Sequence, residues 1–216
     1  MGIDLMTIIF TIPAMLISAA VHEYAHAYTA YKLGDDTAKA EGRMTLNPIS
    51  HFDLVGFLSM IFLRIGWAKP VPVNSYNFAN PVSGNAIVSI AGPLANLGLI
   101  IVSGIVLKVI LLLPLTGLFF QLMVTFLTVM LFINTSLMLF NLLPVPPLDG
   151  SNIVEAFLPR HWRAGWSNLA QYSPFLLILL VLPISPAFEI FRSFWYNLLS
   201  TVLSGVALIF DLPLFL

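Results

Sequence analysis

His22, Glu23 and His26 form the group of residues in this sequence with the clearest chemical potential. In the stretch His22-Glu23-Tyr24-Ala25-His26 the two histidines are four residues apart, so on a helix they share one face, one turn apart. Two imidazoles in this arrangement can bind the same metal ion, and the adjacent glutamate can reach a water on it. This is the spacing of metal-dependent hydrolases in which the glutamate is the general base. The alternative is a set of buried side chains that neighbouring helices merely satisfy.

The apolar run that surrounds this motif extends from about Leu5 to Leu33. It is long enough to cross a membrane as a helix, at about 20 residues per crossing. Ionisable side chains are costly inside a membrane, so three of them within one helical turn indicate a functional site. The pattern therefore predicts a metal site on a membrane-spanning helix.

The composition points to a polytopic all-α membrane protein. Hydrophobic residues make up 59% of the 216 residues and charged residues 9%, against about 25% charged residues in a typical soluble domain. The net charge of −1 gives no indication of a nucleic-acid partner. Because the sequence has no cysteine, thiolate ligands are excluded and a bound zinc ion must use His, Asp or Glu.

We expect a single membrane-embedded domain over residues 1–216, with a bundle of about five transmembrane helices. The expected spans are residues 5–33, 82–113, 118–142, 172–190 and 193–214. The core of the domain is predicted at about 5–158. The last two spans form a C-terminal helical hairpin, about 171–214, which is broken by Pro183 and Pro186 and to which we assign no chemistry.

Two segments between the first spans are not expected to be transmembrane helices. Residues 54–67 are apolar but short and contain Arg64, which favours a re-entrant or interfacial segment. The stretch that follows contains Pro70 and Pro72, and such alternation excludes a regular helix. It predicts an extended segment at the membrane interface.

Four more polar residues are candidates for the site. Asp149 precedes Gly150, and although Asp-Gly is usually only a turn, this carboxylate offers the oxygen ligand that a two-histidine site lacks. Asn96 lies in the second clear span, where it forms an interhelical hydrogen bond or, alternatively, binds substrate or stabilises an oxyanion beside the metal. His51 and Asp53 either support the metal ligands or belong to a surface turn whose polar side chains bond to the local backbone.

The distribution of basic residues predicts the topology. Basic side chains follow both the first and the third clear span: Lys32, Lys39 and Arg43, then Arg160, His161 and Arg163. Such clusters mark the cytoplasmic side of a cell membrane. If residues 54–67 do not cross the membrane, span 82–113 crosses it away from the cytoplasm and span 118–142 crosses back. Asp149 then emerges on the side where the first span ends, as a shared metal site requires.

Four stretches of the sequence resemble the site-2 protease family of intramembrane zinc metalloproteases, over about residues 15–155. Two resemble the family's metal motifs, and a third its central-helix motif: His22-Glu23-Tyr24-Ala25-His26, Asn141-Leu142-Leu143-Pro144 through Leu148-Asp149-Gly150, and Ala91-Gly92-Pro93 with Asn96. The fourth is similar to a subgroup of small bacterial members: Asn47-Pro48 with His51 and Asp53, then Gly66-Trp67-Ala68-Lys69-Pro70-Val71-Pro72-Val73-Asn74. Ser75 replaces the proline that usually follows there.

The resemblance implies roles for the candidate residues. His22, His26 and Asp149 would bind one zinc ion, Glu23 would activate water, and Asn96 would help to position the substrate. Members of the family cleave peptide bonds within transmembrane segments of other proteins, often after another protease has trimmed them. We expect a small bacterial-type member without a PDZ or CBS domain. Residues 68–78 are predicted to hold the substrate as an added strand.

Two other functions use the same residues. A membrane metal transporter predicts a continuous polar path with several intramembrane acids, whereas this sequence has one strong cluster. A non-catalytic binder of membrane segments tolerates loss of Glu23, whereas this sequence contains it. Both observations favour the protease.

Overall fold

The computed structural model describes residues 5–56, 59, 66–173, 175, 177 and 186–213, and the regular secondary structure of these residues consists of helices. No β-strand occurs within these residues, so the predicted all-α fold is confirmed for them. The helices are α1 (Leu5–Lys32), α2 (Thr37–Ala40), α3 (Pro81–Leu112), α4 (Leu118–Asn141), α5 (Asp149–Phe157), α6 (Arg160–Ala170) and α7 (Pro186–Phe210), with 3-10 helices at Pro48–His51 and Ser75–Asn77.

Three of the described helices, α3, α4 and α7, are long and apolar enough to cross a membrane. The α1 helix, which carries the histidine motif, has 28 residues. These helices indicate a membrane protein, but the predicted number of about five spans is not confirmed. Residues 174, 176 and 178–185 of the predicted span 172–190 lie outside the described residues. So do residues 57, 58 and 60–65 of the predicted re-entrant segment.

The ends of the helices follow from local sequence. Gly34 has a positive φ of 105° just after α1, and the Asp35 N–H bonds to the Ala30 carbonyl at 2.9 Å. This is the Schellman arrangement that glycine favours after a helix, and it confirms the predicted end of α1. Asn80 caps α3, because its side chain accepts a hydrogen bond from the Ser83 N–H.

The α3 helix is central and runs antiparallel to both α1 and α4. Along α1, His22 contacts Asn96 and the later His26 contacts the earlier Val88. Asn96 in turn bonds to Asn134 of α4, and Leu107 packs in a cluster with Leu131. Thus α1 ends, α3 begins and α4 ends at the same end of the bundle. The chain returns Asp149 to that end, as the topology argument predicted for a connection that does not cross.

The predicted extended segment, residues 66–74, has no regular secondary structure. Arg43 donates hydrogen bonds to the carbonyls of Lys69 and Pro70, at 2.9 and 3.2 Å. The Lys69 N–H donates to the His51 carbonyl at 2.9 Å. These bonds fix the extended segment to the connection that follows α1.

Asp35 fastens the end of the extended segment to the end of α1. Its side chain is fully buried and accepts hydrogen bonds from Thr37, from the Asn74 N–H at 2.7 Å and from the Asn77 amide at 2.8 Å. Burial raises the pKa of a carboxyl group, but these hydrogen bonds outweigh it and hold the pKa of Asp35 below its ordinary value.

We expect Asp35→Ala to lower the free energy of unfolding by about 3 kcal/mol, on the order of one or two hydrogen bonds to a charged group. Because the folded-state pKa lies below the unfolded value of about 3.9, this stabilisation is complete above that pH and disappears as the pH falls through the folded pKa. Thermal unfolding in detergent at several pH values measures it. The exposed neighbour Asp36 provides the control, Asp36→Ala; equal losses in both variants contradict the prediction.

Candidate metal centre

The structure brings together the three residues that the sequence proposed as metal ligands. His22 and His26 lie one turn apart on α1, and Asp149 is the first residue of α5. The two Nε2 atoms are 2.9 Å apart, and each lies 3.3 Å from Asp149 Oδ2. Both histidines are buried, so the three ligand atoms meet at one point inside the bundle.

Hydrogen bonds behind the two imidazoles determine which nitrogen carries the proton. The His26 Nδ1 lies 2.8 Å from the Val88 carbonyl, which can only accept, so Nδ1 is the donor. The His22 Nδ1 lies 2.6 Å from Asn96 Oδ1, and the Asn96 amide group donates to Asn134 at 2.9 Å. Both Nε2 atoms are therefore unprotonated acceptors in the neutral rings.

This arrangement fits a metal ion. Three atoms that can each serve as a metal ligand lie close together, and Asp149 Oδ2 is buried without a hydrogen bond to the described residues. Zinc at its usual bond length of about 2.0–2.1 Å places tetrahedral ligand atoms roughly 3.3 Å apart, close to the distances observed. Two neutral imidazoles and one carboxylate are also a zinc donor set that leaves a fourth position open.

Asn96 positions His22 through a chain of buried amides. Its side chain is fully buried, and Asn134 continues the chain by donating to the Met130 carbonyl at 2.8 Å. These contacts match the first of the two expected roles of Asn96, an interhelical hydrogen bond. Its contact with substrate stays a prediction. Sequence reasoning missed Asn134, although an asparagine inside an apolar span is a signal of such bonding.

Gly92 provides the space that the two imidazoles occupy against α3. A Cβ atom at this position would lie 2.6 Å from His22 Nε2 and would also overlap His26 Nε2. The backbone of α3 therefore approaches the ligand atoms themselves at this glycine. Any side chain at position 92 therefore displaces the histidines or the metal.

We expect Gly92→Ala to weaken zinc binding by about 10- to 100-fold, as loss of a group that orients metal ligands does. Gly98 lies on the same helix, and a Cβ atom added there would have no atom within 4 Å. Gly98→Ala is therefore the matched control and leaves zinc affinity unchanged. Competition with a zinc chelator measures both. Equal affinity in the two variants contradicts the assigned role of Gly92.

Contacts of α5 with the rest of the bundle position Asp149. The Asn152 amide donates to Ser89 of α3 at 2.9 Å. A Cβ on Gly150 would overlap the Leu142 carbonyl oxygen, so glycine lets α5 start directly against the end of α4. The Asp-Gly pair is therefore a close-packed junction that aims the carboxylate at the histidines.

Glu23 makes a contact that the sequence did not predict. Its Oε2 accepts a hydrogen bond from the Val71 N–H at 2.7 Å. The carboxylate thus lies between α1 and the extended segment, next in sequence to His22. Its role as general base stays a prediction, and the structure adds that the extended segment reaches the same carboxylate.

His51 and Asp53 make local contacts. His51 Nε2 donates to the Thr45 carbonyl at 2.8 Å, and Asp53 accepts from the Gly56 N–H at 2.7 Å. Among the described residues the candidate metal group consists of His22, His26 and Asp149. The contacts of His51 and Asp53 are those of the turn alternative, and their support of the metal ligands stays a prediction.

Comparisons with known proteins find zinc metalloproteases as relatives of this chain. The sequence model of peptidase family M50 matches residues 109–181. A Bacillus subtilis protein named "Putative zinc metalloprotease YwhC" is 40% identical over 180 residues, which cover 82% of this chain and 81% of that protein. Proteins named "Putative zinc metalloprotease Rip2" are 31% identical over 189 residues in Mycobacterium tuberculosis and 32% identical over 190 in Mycolicibacterium smegmatis. These matches cover 82% and 83% of this chain and 68% of each relative. No solved structure matches.

Proposed function

The chain belongs to peptidase family M50, the site-2 protease family of zinc metalloproteases, and we propose that it hydrolyses peptide bonds in or near transmembrane segments of membrane proteins. The observation that carries this proposal is the meeting of His22, His26 and Asp149 in a bundle of apolar helices. A hydrolytic site inside such a helix bundle would act on protein segments that lie in the lipid bilayer.

We propose that the protein resides in the cell membrane with its site toward the cytoplasm. Lys32 ends α1, and Lys39 and Arg43 follow it, at the end of the bundle to which Asp149 returns. Basic residues beside membrane spans favour the cytoplasmic side, which supports this orientation.

Different residues of the chain have different roles in the proposed hydrolysis. Zinc, when bound by His22, His26 and Asp149, polarises the scissile carbonyl and makes water more acidic. Asn96 and the Val88 carbonyl hold the two imidazoles in place. Glu23 takes a proton from the attacking water and delivers it to the leaving amine.

The extended segment is proposed to bind the substrate backbone. A helical substrate has its own backbone groups paired, so it must unwind locally before cleavage. Pro70 and Pro72 lack an N–H, so Val71 carries the donor at the centre of the segment. A substrate carbonyl that accepts this bond replaces Glu23 there and leaves its carboxylate free to act as base.

We expect Val71→Pro to reduce cleavage by about tenfold, the loss that corresponds to one backbone hydrogen bond, without loss of zinc. Val71→Ala keeps the N–H and controls for the change of side chain. Cleavage assays with zinc quantification on the same samples measure both effects. Equal cleavage by the two variants rejects the added-strand interaction.

Reconstitution tests the proposed function as a whole. The purified protein is loaded with zinc and placed in liposomes with a model transmembrane substrate, and the products are identified by mass spectrometry. Chelator-sensitive cleavage within or beside the span supports the proposal. Zinc flux without cleavage supports the transporter, and substrate binding without cleavage supports the non-catalytic binder; either overturns the protease function.

A further inference from the structure

A cavity of about 30 Å³ lies between α1 and the two segments 48–56 and 67–68. One wall is a face of α1 that includes Leu16 and Ala19, and the opposite wall includes His51, Trp67 and Ala68. The volume has room for about two water molecules. This volume suits a small side chain.

The cavity lies between the same two elements that meet at Glu23. Ala19 is four residues before Glu23 on α1, about 6 Å along the helix and on the same side. Ala68 is three residues before Val71, about 10 Å along an extended chain. A substrate strand that bonds to Val71 and follows the extended segment toward Ala68 would pass the cavity about three residues away.

His51 gives the cavity a specific polar requirement. The side chain is only 2% exposed, and its Nε2–H donates to the Thr45 carbonyl. Its Nδ1 is therefore an acceptor, and it is buried with no donor among the described residues. Asp53, which also lines the cavity, carries acceptor oxygens. A suitable occupant brings a hydrogen-bond donor.

We infer that this cavity is a specificity subsite that accepts a threonine or serine side chain of the substrate, whose hydroxyl group donates to His51 Nδ1. The inference rests on the proposed protease function. Apolar walls suit the methyl group of threonine, and the buried acceptor distinguishes threonine from valine, which has the same shape. A site built to bond a hydroxyl group discriminates strongly against an analogue without it.

The test compares threonine and valine at each position within five residues of the cleavage site of a model transmembrane substrate. For the wild-type enzyme in detergent, we expect kcat/KM to be about tenfold higher with threonine at one position. His51→Gln keeps a side-chain N–H near the Thr45 carbonyl and lacks the Nδ1 acceptor, so the threonine-to-valine ratio falls to about one. His161→Gln, at an exposed histidine of α6, keeps the ratio.

Because the ratio is taken within each enzyme, a general loss of activity cancels. Zinc content shows whether His51→Gln has folded, and Leu16→Phe, which fills the cavity from α1, provides a second variant with an expected ratio of about one. A wild-type ratio of one at every position overturns the subsite and leaves the protease function intact. A ratio that survives both variants also overturns it. Failure of the wild-type enzyme to cleave any substrate overturns both proposals.

Discussion

Glu23→Gln is expected to retain one zinc ion per chain and to lose cleavage of a model transmembrane substrate. Glutamine keeps the size and the acceptor oxygen of the side chain but cannot take a proton at neutral pH. A positioned general base contributes about 10²- to 10⁴-fold to the rate, so the variant should fall to or below the detection limit of most assays. Zinc content and product formation are measured on the same preparation.

The hydrogen bond from the Val71 N–H should survive in Glu23→Gln, so the substitution removes the ability to take a proton and keeps the position of the side chain. Glutamine still offers an oxygen to the Val71 N–H, so the extended segment keeps its contact with α1. Glu41 is exposed in the connection after α2, and Glu41→Gln controls for loss of one negative charge. Persistent cleavage by Glu23→Gln removes Glu23 from the role of base, whereas loss of zinc assigns it to metal binding.

Asp149→Asn is expected to lose both zinc and cleavage. A neutral amide is a much weaker zinc ligand than a carboxylate, and Asp149 supplies the only carboxylate oxygen of the candidate group. We expect zinc affinity to fall by more than the about 10- to 100-fold that accompanies loss of an outer partner of a ligand. Isothermal titration with zinc and cleavage assays measure the two losses.

Asp36→Asn removes a negative charge at an exposed position outside the candidate metal group, and it is expected to retain both zinc and cleavage. Zinc binding by Asp149→Asn with the affinity of the parent contradicts the assignment of Asp149 as a ligand.

Much of the fold was predictable because membrane helices are encoded locally. The predicted spans 82–113 and 118–142 differ by one residue at each end or less from Pro81–Leu112 and Leu118–Asn141. Long apolar runs and the terminating effect of Pro114 and Gly34 act within a few residues. Of the last two predicted spans, 172–190 lies largely outside the described residues, and the described helix α7 covers residues 186–190 of it and most of span 193–214.

The partners of each candidate residue were much harder to predict. Asn96 fitted two roles equally well in the sequence, and only its contacts with His22 and Asn134 favour positioning over substrate contact. The contact of Glu23 with Val71 joins residues 48 positions apart. Contacts of this kind depend on how helices and connections pack together, which residue type and spacing do not specify.

The sequence by itself determined the pairing of the two histidines, because four-residue spacing on a helix places both side chains on one face by geometry alone. It also placed Glu23 next to the first of them. It also determined the apolar helices and, in a chain without cysteine, that a metal ligand must be His, Asp or Glu. Only the tertiary structure decided that Asp149 meets those histidines and that Gly92 makes room for them. It also decided that His51, whose Nδ1 is buried and unpaired among the described residues, lines a cavity against α1. Each of these depends on distances between segments far apart in the chain, which helix packing sets and local sequence does not.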